Sequence, residues 1–316
     1  MIGAGMAGLV CADALRNRGA DVVVFEKSRG IGGRLASREV PLPGLAEPVR
    51  FDHGAPALRP READFADFLE GLVRHGSAAP WRHALMVGMP CMRALLAPLA
   101  ERLAIRPHAR VDTLAQEGGR WWLGLEPHAR EGGRHEGREG PFDRVVLAVP
   151  AHQARQIMRD LVSVPARIVR DELQTIETKP CWTLLAAFDG GSEPVGSSAP
   201  LAGVEWLVDE SVKPGRNRSV RAWTLQMSAD WTIPRLECER EDVLPEMLDT
   251  LRARTGETGE PLVAMAHRWR YSQTLRAFGE PFLEADGLVI GGDWTLGACA
   301  EDAWRSGTAM ATALLA

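Results

Sequence analysis

The sequence predicts an α/β fold: a nucleotide-binding βαβ unit joined to a region of mixed helices and strands. Three observations carry this expectation. Gly3-Ala-Gly5-Met-Ala-Gly8 stands between a strand end and a helix start. The strand after that helix, Asp21-Val-Val-Val-Phe-Glu26, is an apolar run of the kind buried on both faces, and it ends on a carboxylate. Near the other end of the chain, Gly287-Leu-Val-Ile-Gly291 reads as a further buried strand. It leads through Gly292-Asp293-Trp294 into a helix from about Glu301 to Leu315.

The elements between follow from local pattern. The first helix is expected to run to about Arg18, closed by Gly19. Only Met1 and Ile2 precede Gly3, whereas a Rossmann first strand has about five residues there. That strand is expected to be short, and a native start upstream stays open. Residues 64–74 read as an amphipathic helix with Phe65, Phe68, Leu69 and Leu72 on one face, and 92–103 as another helix. Gly118-Gly119, flanked by strand-like 110–114 and 121–125, signals a hairpin. Residues 126–140 are polar and glycine-rich, which predicts an exposed loop, and 142–149 read as a buried strand stopped by Pro150. Further strands are expected over 182–188, 220–227 and 265–271.

A chain of 316 residues is comfortable for two domains. Its composition, 45% apolar and 25% charged, is that of an ordinary soluble globular protein. With 37 basic against 42 acidic residues there is no basic surplus to attract nucleic acid or an anionic membrane. Only Lys27, Lys179 and Lys213 are lysines; every other basic residue is arginine, which we read as compositional bias. The five cysteines are scattered without CxxC spacing, which argues against a disulfide framework and against a zinc or other metal site. No run approaches the roughly 18 apolar residues of a membrane span. The apolar N-terminus lacks the basic leader of a signal peptide, so a cytoplasmic location is expected. Oligomeric state is left open.

The chemistry begins with the glycines. In a GxGxxG turn Gly3 permits the tight bend, Gly5 lets the backbone approach a pyrophosphate, and Gly8 lets the helix pack on the sheet. The helix N-terminus, at Met6 and Ala7, offers N–H groups and a positive dipole end to phosphates. Glu26 is placed to accept hydrogen bonds from ribose hydroxyls, with Lys27 beside it. Arg29-Gly-Ile-Gly32-Gly33-Arg34 follows directly, a loop whose glycines can lie flat on a pyrophosphate while Arg29 and Arg34 pair with its oxygens. The whole reads Glu-x-x-Arg-x-x-Gly-Gly-Arg, a pattern that resembles the flavin amine oxidase superfamily and turns "dinucleotide" into FAD. In that light Asp293, after Gly292, is the expected acceptor for a ribityl hydroxyl, with an N-cap role as the alternative. The terminal helix, including Ala303, is expected to aim its N–H groups at the flavin ring. No second GxGxxG occurs, which argues against a two-dinucleotide reductase.

Several stretches narrow the resemblance to the renalase family, especially its bacterial form. They are the opening through Arg34, Phe51-Asp52-His53-Gly54-Ala55, Val87-Gly-Met-Pro90, Val145-Val-Leu-Ala-Val-Pro150, Pro180-Cys-Trp182, Lys213-Pro-Gly215, Ala266-His-Arg-Trp-Arg-Tyr271 and Gly291-Gly-Asp-Trp294. The resemblance implies a discontinuous Rossmann-type FAD-binding domain with a β-meander, over 1–57, 86–152 and 282–316. It implies an α+β substrate domain with a mixed or antiparallel sheet over 58–85 and 153–281. It adds Asp52, His53, Gly54, Ala55 and Val111 to the expected FAD contacts, with the flavin held non-covalently. The implied activity is oxidation of 2- or 6-dihydro isomers of NAD(P), with O2 as acceptor and H2O2 as product.

A dihydropyridine becomes aromatic by losing one hydride, so no general base is required. No triad or carboxylate pair accompanies the motifs. Trp182, Trp269, Arg270 and Tyr271 are the candidate pocket residues, from stacking and phosphate-pairing character; Trp182 and Trp269 could equally be core. Two alternatives remain. One is an amine oxidase acting on a carbon–nitrogen bond, disfavoured by the single tyrosine; the other is a non-catalytic FAD-binding protein.

Overall fold

In the computed structural model, which describes residues 1–126, 137–190 and 202–316, the chain folds as two units. The first comprises Met1–Gly33, Leu96–Thr178 and Thr274–Ala316; the second comprises Arg34–Leu95 and Lys179–Gln273. These boundaries differ from those drawn on sequence. Residues 34–57 and 86–95 group with the second unit, because Val49 and Phe51 pack on Leu185, Ala187, Val220 and Ala222. Residues 153–178 and 274–281 group with the first, where Ala166, Val169 and Leu173 of helix Val164–Gln174 join its core.

The first unit is built on one sheet. Ala104–Arg106 pairs in parallel with Val23–Phe25, and Val145–Leu147 in parallel with Leu288–Ile290. Ile2 bridges Phe25 on one side and Leu147 on the other, and Leu283–Ala285 adds an antiparallel edge. The short first strand is thus hydrogen-bonded on both flanks: Ile2 N to Val146 O at 2.8 Å, and Phe25 N to Met1 O at 2.9 Å. The first helix, Met6–Arg16, and the terminal helix, Ala300–Leu315, lie against each other, with Ala7, Cys11, Met310 and Ala311 in their shared core. A Cβ on Gly307 would strike the backbone of Ala7, which sets how closely they approach.

A three-stranded antiparallel meander completes the unit: Val111–Glu117, Arg120–Leu125 and Gly137–Phe142. Its first turn places Gly118 and Gly119 at φ 57° and 76°, the left-handed pair that a two-residue hairpin demands. Of the loop expected over 126–140, residues 127–136 lie outside the described residues, and Gly137–Gly140 belong to the third meander strand. The helix expected over 92–103 is broken into a 3-10 segment, Met92–Leu96, and one α-turn, Ala97–Ala100. Pro98 accounts for the break: its ring would clash with the carbonyl four residues back, so it is placed in the first turn of a new helix.

In the second unit Val220–Met227 pairs antiparallel with Glu177–Asp189 on one side and Val204–Asp209 on the other, and the long strand Val263–Arg276 forms the fourth member. Alternation assigns the faces. Trp182, Leu184, Ala186, Phe188 and Ala266 meet Val243, Met247 and Leu251 of helix Arg240–Thr255. Leu185, Ala187, Val220, Ala222 and Met265 meet Val49 and Phe51 on the other face. The loop 52–55 therefore starts on that second face, and His267 and Trp269 share it with Met265 by the period of two.

Candidate functional site

The first unit carries an anion cradle made of backbone. Gly5 caps helix Met6–Arg16 without a side chain, and the first turn contains no acidic residue. The N–H groups of Met6, Ala7 and Gly8 have no acceptor within the helix, which begins its ladder with Leu9 N to Gly5 O at 3.0 Å. A Cβ at Gly3 would collide with the carbonyl of Ala148, and one at Gly8 with the carbonyl of Gly3. A Cβ at Gly5 would meet nothing within 4 Å. The turn is thus tight beneath and open above. Gly32 N donates to Ala4 O at 2.9 Å, and Gly33, at φ +55°, brings its backbone within van der Waals reach of Gly5. The two glycine motifs lie together and leave the floor of side chains bare, the shape a pyrophosphate needs.

Glu26 is buried at the edge of this cradle, 7% exposed. Its Oε2 accepts from Ala4 N at 2.9 Å and its Oε1 from Ser28 N at 2.8 Å. Each oxygen keeps a lone pair for a ribose hydroxyl. The carboxylate therefore also ties the glycine turn to the next loop. Lys27 and Arg29 are exposed, Val111 is buried at the start of the meander, and Ala303 is half-buried on the terminal helix. Asp293 is buried in the turn Asp293–Thr295; the terminal helix is capped by Cys299 instead. That helix differs from the first one: Glu301 and Asp302 sit in its first turn, and Asp302 Oδ2 accepts from Cys299 N at 2.9 Å. Much of its positive end is already answered, which weakens the expected field on a flavin ring. The residues of this unit fit FAD at the adenosine and pyrophosphate end.

In the second unit Asp52 faces no open surface, contrary to a direct cofactor contact. It is fully buried and held in a charge network. Lys213 Nζ reaches Asp52 Oδ2 at 2.9 Å and Glu210 Oε2 at 2.8 Å, and the Arg216 guanidinium also bonds Asp52 Oδ2. Asp52 Oδ1 accepts from Ser37 Oγ at 2.7 Å and Met92 N at 2.9 Å. Glu210 Oε1 accepts from Asp52 N at 3.1 Å and Thr224 Oγ1 at 2.8 Å. Burial pushes the Asp52 carboxyl up, but Lys213 and Arg216 outweigh it and hold it below the usual range. Burial, reinforced by Asp52, leaves Glu210 raised. The network anchors the root of the 52–55 loop. Its next residues are fixed from other sides: Ala55 N donates to Arg34 O at 2.8 Å, Gln226 Nε2 to Gly54 O at 2.6 Å, and Trp269 Nε1 to His53 O at 2.8 Å. A Cβ at Gly54 would strike the Arg34 carbonyl. Arg34 itself is half-buried and reaches Ser272 O at 3.4 Å.

The His53 ring, 6% exposed, lies in a corner of three rings. It stacks on Trp269 at 5.5 Å between centroids and 26°, and meets His267 edge-on at 4.8 Å; His267 meets Trp269 at 4.7 Å. Burial, with help from Arg38, lowers the His53 pKa to about 4. Burial, His53, Arg240 and Arg38 lower that of His267 to about 3. Both imidazoles are neutral near pH 7.

Of the four pocket candidates, Trp269 and Tyr271 share this face. Trp182 does not: it is fully buried on the helix side, with Nε1 donating to Arg235 O at 2.9 Å. Arg270 points the same way as Arg268 and pairs at the surface with Glu237, 2.8 Å away. Sequence reasoning missed His267, Glu210 and Arg216. The one signal available was Lys213, a lysine in a chain that otherwise uses arginine.

Among the described residues no helix is long and apolar enough to cross a membrane. Residues 1–72 match an NAD(P)-binding Rossmann-like domain, and residues 81–315 match the family described as flavin containing amine oxidoreductase. Renalase of Mus musculus is 22% identical over 330 residues, covering 93% of this chain and 91% of renalase. Cyclohexylamine oxidase from Brevibacterium oxydans IH-35A superposes with a TM-score of 0.66 at 14% identity, over 100% of this chain and 98% of that one. A double mutant of putrescine oxidase gives 0.64 at 14%, over 99% and 98%. At these identities the solved structures share the fold alone. The match over 81–315 takes in most of the chain, and with the dinucleotide cradle before it the protein is an FAD-dependent oxidoreductase that belongs to the flavin containing amine oxidoreductase family.

Proposed function

We propose that this oxidoreductase is renalase-like and takes a hydride from the 2- or 6-dihydro isomers of NAD(P). The observation that carries the reading is the ring corner. It offers two neutral imidazoles and an indole; Arg38 acts on both imidazoles, Arg240 on His267, and the nearby Asp52 carboxylate is tied to Lys213 and Arg216, with no tyrosine cage among the described residues. An imidazole held near pKa 3 or 4 is a poor base for an ammonium substrate. A dihydropyridine needs none, because departure of one hydride leaves an aromatic cation. The weak likeness to renalase along nearly the whole chain supports the same reading. Bound FAD would supply the two-electron acceptor and pass the electrons to O2, giving H2O2.

The chain's own part is positional. The glycine turn and Glu26 hold the adenosine diphosphate end of FAD, with Asp293 as the ribityl acceptor. Trp269, His53 and His267 orient the substrate ring. Attachment of the flavin is non-covalent in this reading: Cys11, Cys91 and Cys181 are buried, the half-buried Cys238 packs against the core of the second unit, and the exposed Cys299 serves as a helix cap. Acid precipitation should therefore leave all flavin in the supernatant. The deciding experiment is anaerobic rapid mixing, following loss of the flavin's visible absorbance. Isomeric dihydro-NAD(P) should reduce it fast, with a rate constant nearly flat between about pH 6 and pH 9, while ordinary 4-dihydro NADH and primary amines should be slow. Fast reduction by a simple amine, rising with pH, would overturn the reading in favour of carbon–nitrogen bond oxidation.

A further inference from the structure

We infer that His267, with His53 and Trp269, is a specificity element that selects an uncharged planar ring and rejects cations. The inference rests on the renalase-like reading and names the part of the second unit that would enforce it.

The strand Val263–Arg276 presents His267 and Trp269 on one face at a spacing of two, and Trp269 is fixed by its indole bond to His53 O. His53 is nearly buried, while His267 and Trp269 remain half-accessible, so a ligand reaches the corner through these two rings. That pairing suits a flat heteroaromatic ring, which can stack on Trp269 and exchange a hydrogen bond with a neutral imidazole. Aromatic faces alone would also attract a cation. The surrounding charges decide against it. Arg38 acts on both imidazoles and Arg240, at the start of helix Arg240–Thr255, on His267, while Asp52 acts on His53 in the opposite sense. Asp52 is adjacent to His53, but its carboxylate is committed to Lys213 and Arg216. On the same strand Arg268 and Arg270 lie on the opposite face, bonded to Leu236 O and to Glu237. Among the described residues no uncommitted carboxylate acts on the corner to compensate an ammonium. The neutral His267 imidazole keeps one donor and one acceptor nitrogen for a ring substituent. Loss of a hydride converts that ring to a cation, which the same corner disfavours, so oxidation itself loosens the product.

The test uses FAD-loaded protein and ligands that do not turn over. Nicotinamide and 1-methylnicotinamide have nearly the same shape and differ by one positive charge. Titration calorimetry of the wild type should show nicotinamide binding about tenfold or more tighter than its methylated cation. His267→Leu should weaken nicotinamide by roughly three- to tenfold, the worth of one hydrogen bond. His267→Asp should reverse the preference, and His267→Asn should keep it. Melting curves of the three variants show that each is folded, and a variant that unfolds is replaced by His267→Gln. Equal affinities in the wild type, or a preference unchanged in His267→Asp, would overturn the inference. If that happens while isomeric dihydro-NAD(P) still reduces the flavin, the ring corner fails and the proposed activity stands. If the wild type prefers the cation and amines reduce the flavin, both fail together.

Discussion

At the scale of single residues, Glu26 has a structural role beside the ribose contact proposed for it. Its carboxylate was legible as a ribose acceptor because it ends the second strand of a βαβ unit. Its bonds to Ala4 N and Ser28 N were not, since they depend on the curl of two glycine loops. Glu26→Ala should therefore weaken FAD by about 1.5–3 kcal/mol and also lower the melting temperature of the flavin-free protein. Glu26→Gln, which keeps one good acceptor, should cost less in both. Flavin titration and thermal melts of the apoprotein separate the two effects; an unchanged affinity in the Ala variant would remove Glu26 from the cofactor site. Lys213 makes the opposite case. Its rarity was visible, but its partner Asp52 lies 161 positions away, and only the fold joins them. Lys213→Met leaves two buried carboxylates facing one guanidinium, so urea unfolding should show a loss of about 3–5 kcal/mol. A combined Asp52→Asn, Lys213→Met protein should lose less than the two single losses added. Strict additivity would mean that the pair is not coupled.

At the scale of elements, the glycine turn divides into positions that serve the fold and one that serves the ligand. Gly8→Ala drives a methyl into the Gly3 carbonyl and should cost about 1–3 kcal/mol of stability whether or not FAD is present. Gly5→Ala has open space above it and an ordinary φ of −85°, so the apoprotein should melt as the wild type does. Its methyl would stand where the pyrophosphate must come, and flavin affinity should fall. Equal flavin occupancy in the Gly5→Ala protein would show that the cradle is not the binding surface. Local motifs of this kind are readable because a few adjacent residues build them. The strand 263–276 shows where such reading stops. Trp269, Arg270 and Tyr271 are neighbours in sequence, yet the pleat sends the arginine to the far side and brings His267 to the near one. A run of residues fixes the period and not which face meets the ligand. Pro98, by contrast, was a visible reason to break the helix expected over 92–103.

At the scale of the whole molecule, buried titratable groups bound the pH range. His53 and His267 have folded pKa values of about 4 and 3, against 6.5 for a free imidazole. Lowered values favour the neutral form, so this stability is complete above about pH 6.5 and is lost as the pH falls through the folded values. Asp52 adds to the loss at the acid end, while Glu210, raised, opposes it. Cys11 and Cys181 are raised by burial to about 12 and 11 from 9.0, and their contribution is lost as the pH rises past about 9. Melting temperature against pH should show a plateau between about 6.5 and 9 with a fall on both sides. A maximum near pH 5 would contradict the neutral assignment of the two histidines. Each unit, moreover, is assembled from separated stretches of chain, and the first helix of the protein has the last one as its neighbour. During synthesis Ala7 and Cys11 keep an apolar flank uncovered until Met310 and Ala311, about 300 positions later, have left the ribosome. A chain cut before residue 300 would therefore carry the glycine turn without the helix that packs behind it.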